Sequence, residues 1–151
     1  MIINTEFKGT RISDDALEQK CLWLAEEMGM ADRVLYSCFN HYSLMRVKRH
    51  DRALRTGLLR LPLERRDRER LIDPWQLASS MGIDAIHPHF SQLQIPGQLE
   101  KAHAMGLAVN TWTVDTEADI RASLLAGADG IIGDRPDLMV KVRHELEEAN
   151  S

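Results

Sequence analysis

Six short apolar runs recur along this chain, and a stretch with helical spacing follows each of them. That alternation constrains the fold more than any other feature, because strand–helix repeats build parallel sheets with helices packed outside them. The runs begin near residues 2, 33, 55, 83, 107 and 128. Ile2–Lys8 reads as the first strand. Ser13 then offers an N-cap, with Asp14 and Asp15 in the first turn. Leu17, Cys21, Leu24 and Met28 follow on one helical face, and Gly29 marks the stop. Arg33–Phe39 is the second strand, with a helix over His41–His50, and Arg55–Leu61 is the third. Asp73 before Pro74 opens a short helix to Met81. Ile83–His87 is the fourth strand, Pro96–Met105 a helix and Leu107–Val114 the fifth strand. Thr116 with Asp119 resembles a capping box, with Ile120 and Leu124 on the inner face of the helix it opens. Ala128–Ile132 is the sixth strand. Pro136 opens a last helix, with Leu138, Met139, Val142 and Leu146 on one face.

A complete (β/α)8 barrel has eight such units and typically ~250 residues. Six units in 151 residues therefore read as a partial TIM barrel of the α/β class, one incomplete domain over residues 1–151. An open doubly wound sheet is the alternative. The G-x-G-x-x-G fingerprint of such sheets follows none of the strands. Composition fits one globular unit, with 44% hydrophobic and 28% charged residues. A net charge of −4 argues against a chain that coats nucleic acid. No apolar run approaches the ~18 residues of a membrane helix, so no membrane span is expected. The start, MIINTEFKG, lacks the basic flank and apolar stretch of a signal peptide, which makes a cytoplasmic setting the expectation. Cys21 and Cys38 lie in no metal-binding spacing and read as two reduced, buried thiols. Residues 60–73, RLPLERRDRERLID, read as a solvated charged face. An arginine-bearing flap over an anionic substrate is the functional alternative, weakened by Glu64, Asp67 and Glu69.

In a βα barrel the chemistry sits at the C-terminal ends of the strands. On the first strand Asn4, Glu6 and Lys8 share one face. A carboxylate metal ligand beside a phosphate-binding lysine is one reading; a Glu6/Lys8 ion pair at a frayed strand end is the other. The second strand ends Tyr36-Ser37-Cys38-Phe39-Asn40, which fits a ligand wall and a packed strand end equally well. His87-Pro88-His89 can place two imidazoles on one face, but with no third ligand in sight a single His87 contacting substrate is the better expectation. His41, His50, His103 and His144 fall on helices and read as surface residues. Asn110, Trp112 and Val114 share a face of the fifth strand, where Trp112 is either core or a wall for the carbon skeleton of a small polyol. Asp134, before the last helix, reads as a structural cap.

The segments INTEFK (3–8), LYSCFN (35–40), GLL (57–59), AIHP (85–88), GLAVNTWTVD (106–115) and GADGIIGDRP (127–136) together resemble the C-terminal part of the glycerophosphodiester phosphodiesterases. The resemblance implies a TIM barrel that cleaves glycerophosphodiesters to an alcohol and glycerol 3-phosphate with a divalent metal, Mg or Ca. It implies Glu6 as a metal ligand and Lys8 as a substrate lysine. It places Ser37, Phe39 and Trp112 on substrate-facing strands, with Cys38 in place of a usual serine and Gly133 in place of a threonine. That last change is expected to affect local capping.

The family's front is missing from this sequence. No His-Arg-Gly strand, no E-x-D pair of acidic ligands and no second catalytic histidine precede Glu6. The chain corresponds to strands three to eight of the family barrel, with an incomplete metal site and no catalytic acid–base pair. Two readings follow: a truncated hydrolase, weakly active or inactive alone, and a non-catalytic barrel remnant that binds a phosphate compound or a partner chain. Two unpaired sheet edges, at the first and sixth strands, also imply a homo-oligomer.

Overall fold

A computed structural model of the chain describes residues 2–8, 16–61 and 73–149. Among these, six parallel strands lie side by side in sequence order: β1 (Ile3–Glu6), β2 (Val34–Cys38), β3 (Arg55–Arg60), β4 (Ala85–Pro88), β5 (Ala108–Thr111) and β6 (Gly130–Ile131). A helix follows each: α1 (Ala16–Glu27), α2 (His41–His50), α3 (Pro74–Ser80), α4 (Gln98–Ala104), α5 (Glu117–Leu125) and α6 (Pro136–Ala149). The sheet curls into a half-barrel of the TIM type, with β1 and β6 at its edges. The expected βα alternation is present; β1, β2, β5 and β6 are shorter at both ends than the expected strands, whereas β3 begins at Arg55 as expected and β4 runs one residue past the expected end at His87. Two described elements are additional to the expected ones: 3-10 turns over Ala31–Arg33, before β2, and over Phe90–Gln94, before α4. The proposed Ser13 cap and residues 62–72 of the charged stretch lie outside the described residues.

The helices sit on the outer face because that face of the central strands is largely apolar. Val34, Tyr36 and Cys38 of β2, Leu58 of β3, Ile86 of β4 and Val109 of β5 are buried there. Leu22 and Ala25 of α1, Leu44 and Val47 of α2, and Ala78 and Ala102 of α3 and α4 cover them. Three of the caps are local. The Asn40 side chain accepts from the Tyr42 N–H (3.0 Å), Asp73 from Trp75 N–H (2.9 Å) and Thr116 from Asp119 N–H (3.1 Å). Among the described residues no helix is long and apolar enough to cross a membrane.

Two aspartates fix where strands begin. Asp84, just before β4, accepts from both the backbone N–H (2.7 Å) and the hydroxyl (2.9 Å) of Thr56 on β3. Asp129, just before β6, accepts from the Val109 N–H of β5 at 2.7 Å. Each stands two residues after a glycine with positive φ, Gly82 at 67° and Gly127 at 95°. The same G-x-D turn thus ends two helices and pins the neighbouring strand.

Two expected faces are corrected. On α1 the buried residues are Glu18, Leu22 and Ala25, whereas Leu17, Leu24 and Met28 are 46%, 52% and 62% exposed. Cys21 lies at the border between these faces. An acid occupies the inner face because Arg46 of α2 reaches Glu18 Oε1 at 2.5 Å and satisfies it. On the fifth strand, regular structure ends at Thr111, so period-2 alternation does not extend to Val114. That side chain turns outward into a small cluster with Ile120 and Val142.

Inside the curl, space is rationed by glycine. A Cβ on Gly57 of β3 would stand 2.2 Å from Nε2 of His87, whose ring lies over that glycine. Gly57→Ala should therefore lower the unfolding free energy by at least ~1–3 kcal/mol, the range for overpacking a filled core. In a His87→Ala background the same change should cost much less. Urea unfolding of the four proteins measures both values; equal costs in the two backgrounds would show that the ring does not fill that space.

Candidate functional site

The direction of β1 is set by Phe7. Its ring stacks on Tyr36 on the outer face (centroids 5.7 Å apart, planes at 11°), and its N–H bonds to the Ser37 carbonyl at 2.8 Å. Alternation then turns Asn4 and Glu6 inward, and Lys8 follows two residues beyond the end of β1. Lys8 Nζ lies 4.0 Å from Glu6 Oε2, with the lysine side chain 82% exposed. So loose a pair is worth at most ~1 kcal/mol, which leaves the ammonium free for an anion.

The β1–β2 register places Glu6 beside Ser37. Two residues further along, Phe39 stands at the mouth, 44% exposed. Its ring meets the Trp112 ring edge-on, with centroids 5.7 Å apart and planes at 87°. Trp112 meets His89 in the same manner at 5.6 Å. The mouth of the half-barrel thus combines a cation, a carboxylate and an aromatic wall.

His87 lies below that wall and is fully buried. Its backbone carbonyl accepts from Trp112 Nε1 at 2.7 Å, and Asn110 Nδ2 approaches its Nε2 at 3.1 Å. The ring therefore touches the mouth only through its neighbours. Burial pushes its pKa down from 6.5 to about 4, so it stands neutral at physiological pH. Ser37 Oγ is also buried, with no hydrogen-bond partner among the described residues. Asn110 is the residue whose role was missed. Its signal was a second glycine: a Cβ on Gly130 would stand 2.4 Å from Asn110 Oδ1, as Gly57 makes room for His87.

Other candidates fall away from the mouth. Cys38 points outward, donating its S–H to the Phe7 carbonyl at 3.1 Å and accepting from Asn40 N–H at 3.3 Å. Burial, with Glu18 nearby, pushes the Cys21 thiol up, away from nucleophilic character. The turn before α6 is tied by Asp115, whose Oδ1 accepts the Asp134 N–H at 2.7 Å, and Asp134 supplies only backbone. Gly133 packs against that tie: a Cβ there would meet the Val114 carbonyl at 2.5 Å and Asp115 Oδ1 at 2.6 Å. His50, His103 and His144 are exposed and His41 half-buried against Tyr42.

A divalent metal needs more than the mouth offers. Mg²⁺ takes six oxygen ligands and Ca²⁺ ~6–8. Among the described residues no group of three His, Cys, Asp or Glu side chains is placed to hold a metal. Glu6 supplies one carboxylate, so these residues alone do not fit a complete site.

Parallel strands curled with helices outside, and polar side chains gathered at their C-terminal ends, define a protein of the TIM-barrel class. Residues 2–138 match the glycerophosphoryl diester phosphodiesterase family, and the chain belongs to that family. It is 32% identical over 141 residues to the glycerophosphodiester phosphodiesterase of Caldanaerobacter subterraneus subsp. tengcongensis, which covers 93% of this chain and 55% of that protein. A Silicibacter pomeroyi structure assigned to the same phosphodiesterases superposes with a TM-score of 0.80 at 26% identity, over 94% of this chain and 50% of that one. A phosphodiesterase of Oleispira antarctica, solved in complex with its product sn-glycerol-3-phosphate, shares the fold at a TM-score of 0.72 and 16% identity, over 95% of this chain and 56% of that one. This chain spans about half the length of the relatives it matches.

The burial of His87 has a measurable consequence. Its folded-state pKa of about 4 lies below the ordinary 6.5, so the folded chain binds fewer protons there than the unfolded chain. The stability it carries is complete above about pH 6.5. It falls by up to ~1.4 kcal/mol per pH unit as pH drops toward 4. His87→Gln should remove that part of the slope. Identical pH profiles for the two proteins, by urea unfolding between pH 4 and 7, would contradict a buried neutral imidazole.

Proposed function

We propose that this chain takes glycerophosphodiesters, or their product glycerol 3-phosphate, at the C-terminal ends of its strands. The observation that carries this reading is the loosely paired Lys8 ammonium just beyond the end of β1, at the same end of the sheet as the Phe39–Trp112 wall. The ammonium meets the phosphate, and the aromatic pair packs along the glycerol carbons. Glu6 offers one carboxylate to a divalent cation, Mg or Ca. His87 acts from beneath, holding Trp112 through its carbonyl and Asn110 through its ring. The class of compound is that of the product held by the Oleispira phosphodiesterase, and family membership supports it.

Hydrolysis by these residues alone is slow in this reading. One carboxylate does not build a cation site, and among the described residues no acid–base pair stands at the mouth, each member of which typically contributes ~10²–10⁴-fold. That lone carboxylate equally favours a second reading, a non-catalytic barrel remnant that binds a phosphate compound or a partner chain. Calorimetric titration of glycerol 3-phosphate, with a hydrolysis assay on glycerophosphocholine in millimolar Mg²⁺ or Ca²⁺, separates the cases. Binding weakened about tenfold by Lys8→Ala is expected, since a charge-assisted bond is worth ~1.5–3 kcal/mol. Turnover at ~1–10³ s⁻¹ would overturn the slow-hydrolysis reading, and no binding would overturn the site.

The chain is further proposed as one incomplete barrel domain over residues 1–151, cytoplasmic, and self-associating through β1 and β6. Edge strands offer unpaired N–H and C=O groups, and Ile2 and Ile3 at β1 are 46% and 37% exposed. Sedimentation equilibrium at micromolar concentration should return a dimer or larger species. A monomer would remove the edge argument.

A further inference from the structure

Positive charge is segregated in this chain. Five of the ten residues 46–55 are Lys or Arg, against the single carboxylate Asp51. Removing those from the chain's 19 cationic and 23 acidic residues leaves 14 against 22, a net charge of −8 elsewhere. The segment runs from the last turns of α2 into β3, at the N-terminal end of the strands and opposite the mouth. There it borders a cavity of about 960 Å³ between the C-terminal ends of α2 and α3. That is at the upper end of ordinary small-molecule sites, ~300–1,000 Å³.

The charges around this cavity divide into two sets. Lys48 is committed to Asp84 at 2.7 Å and to the Leu54 carbonyl at 2.8 Å. Asp84 also holds Thr56, Asp51 accepts the Ala53 N–H at 2.8 Å, and His50 faces Glu26 at 3.3 Å. Arg49 and Arg52 line the same cavity and are exposed, and their guanidinium groups have no ion-pair or hydrogen-bond partner among the described residues; the Arg52 carbonyl accepts from Lys48 at 3.0 Å. The α2 dipole favours a cation in its last turn, which accounts for Arg49 as a stabilising residue. It does not account for Arg52, which lies beyond the helix.

We propose that this cavity binds a small soluble molecule carrying linked phosphate groups. A guanidinium matches a phosphate as a two-pronged donor. Two rim carboxylates and the helix C-termini oppose any anion, so a ligand that engages one arginine gains little. A ligand whose adjacent phosphates engage Arg49 and Arg52 together overcomes that opposition. This site is separate from the mouth and does not rest on the function proposed there.

The test titrates the whole chain with inorganic tripolyphosphate by calorimetry at low salt. One saturable site is expected. R49A/R52A should weaken it at least about tenfold, while K20A/R33A, which removes two exposed cations elsewhere, should leave it within twofold. R49K/R52K, keeping charge but not the forks, should fall between. Thermal midpoints of all variants are measured and the titrations run well below the lowest of them, so that a folded R49A/R52A with lost affinity assigns the loss to binding even where removing Arg49 lowers its midpoint. Equal affinity in R49A/R52A, equal loss in K20A/R33A, or no binding by the wild type overturns the site. A phosphatidylglycerol vesicle arm distinguishes the source of phosphate: vesicles that bind the chain where tripolyphosphate does not would replace the soluble ligand with a lipid surface and overturn the proposal.

Discussion

The inner face of the curled sheet depends on a fit between large and small residues on adjacent strands. Curling a parallel sheet leaves less room inside than outside, and barrel interiors are filled by layers of side chains. Here His87 of β4 lies over Gly57 of β3, and Asn110 of β5 over Gly130 of β6. The two large residues then join, Asn110 Nδ2 to His87 Nε2 at 3.1 Å. Because His87 is fixed, its carbonyl is fixed, and that carbonyl holds Trp112. The aromatic wall at the mouth is thus supported from below by two glycines that never reach it.

The strand order and the inward face of β1 were readable from the sequence, since both depend on local patterning. Alternating apolar runs give strands, and period-2 spacing puts Asn4 and Glu6 on one side. What was not readable depends on partners distant in the chain. The inner face of α1 was misjudged because Glu18 looks like a surface acid until Arg46, 28 residues away, is placed against it. His87 reads as a substrate contact until Gly57 is known to lie beneath its ring. Val114 was placed inward because alternation was carried past the end of regular strand at Thr111. The G-x-D turns at 82–84 and 127–129 were visible as letters, but their meaning lies in the bonds Asp84 and Asp129 make to neighbouring strands.

Most acidic groups near the sheet have structural duties. Asp84 and Asp129 start strands, Asp115 ties the α6 turn, and Glu18 secures α1 to α2. Among the described residues Glu6 has only a 4.0 Å contact to an exposed lysine. A carboxylate on the inner face without a strong partner carries a desolvation cost that a cation would offset. That cost is modest while Glu6 remains partly exposed, which is why the strand end tolerates it.

In TIM barrels chemistry sits at the C-terminal ends of the strands and stability at the N-terminal ends. Lys48, Asp84 and Thr56 follow that rule, forming a closed set in which each polar group has a partner. A purely structural end would complete its other charges in the same way, because an ion pair costs nothing in binding specificity and relieves self-repulsion. Among the described residues the guanidinium groups of Arg49 and Arg52 are not completed, although two carboxylates line the same cavity. Those carboxylates are already held by Ala53, Thr56 and Lys48. The structural bonds that stabilise this end therefore consume its acids and leave a surplus of guanidinium facing a space large enough for a ligand.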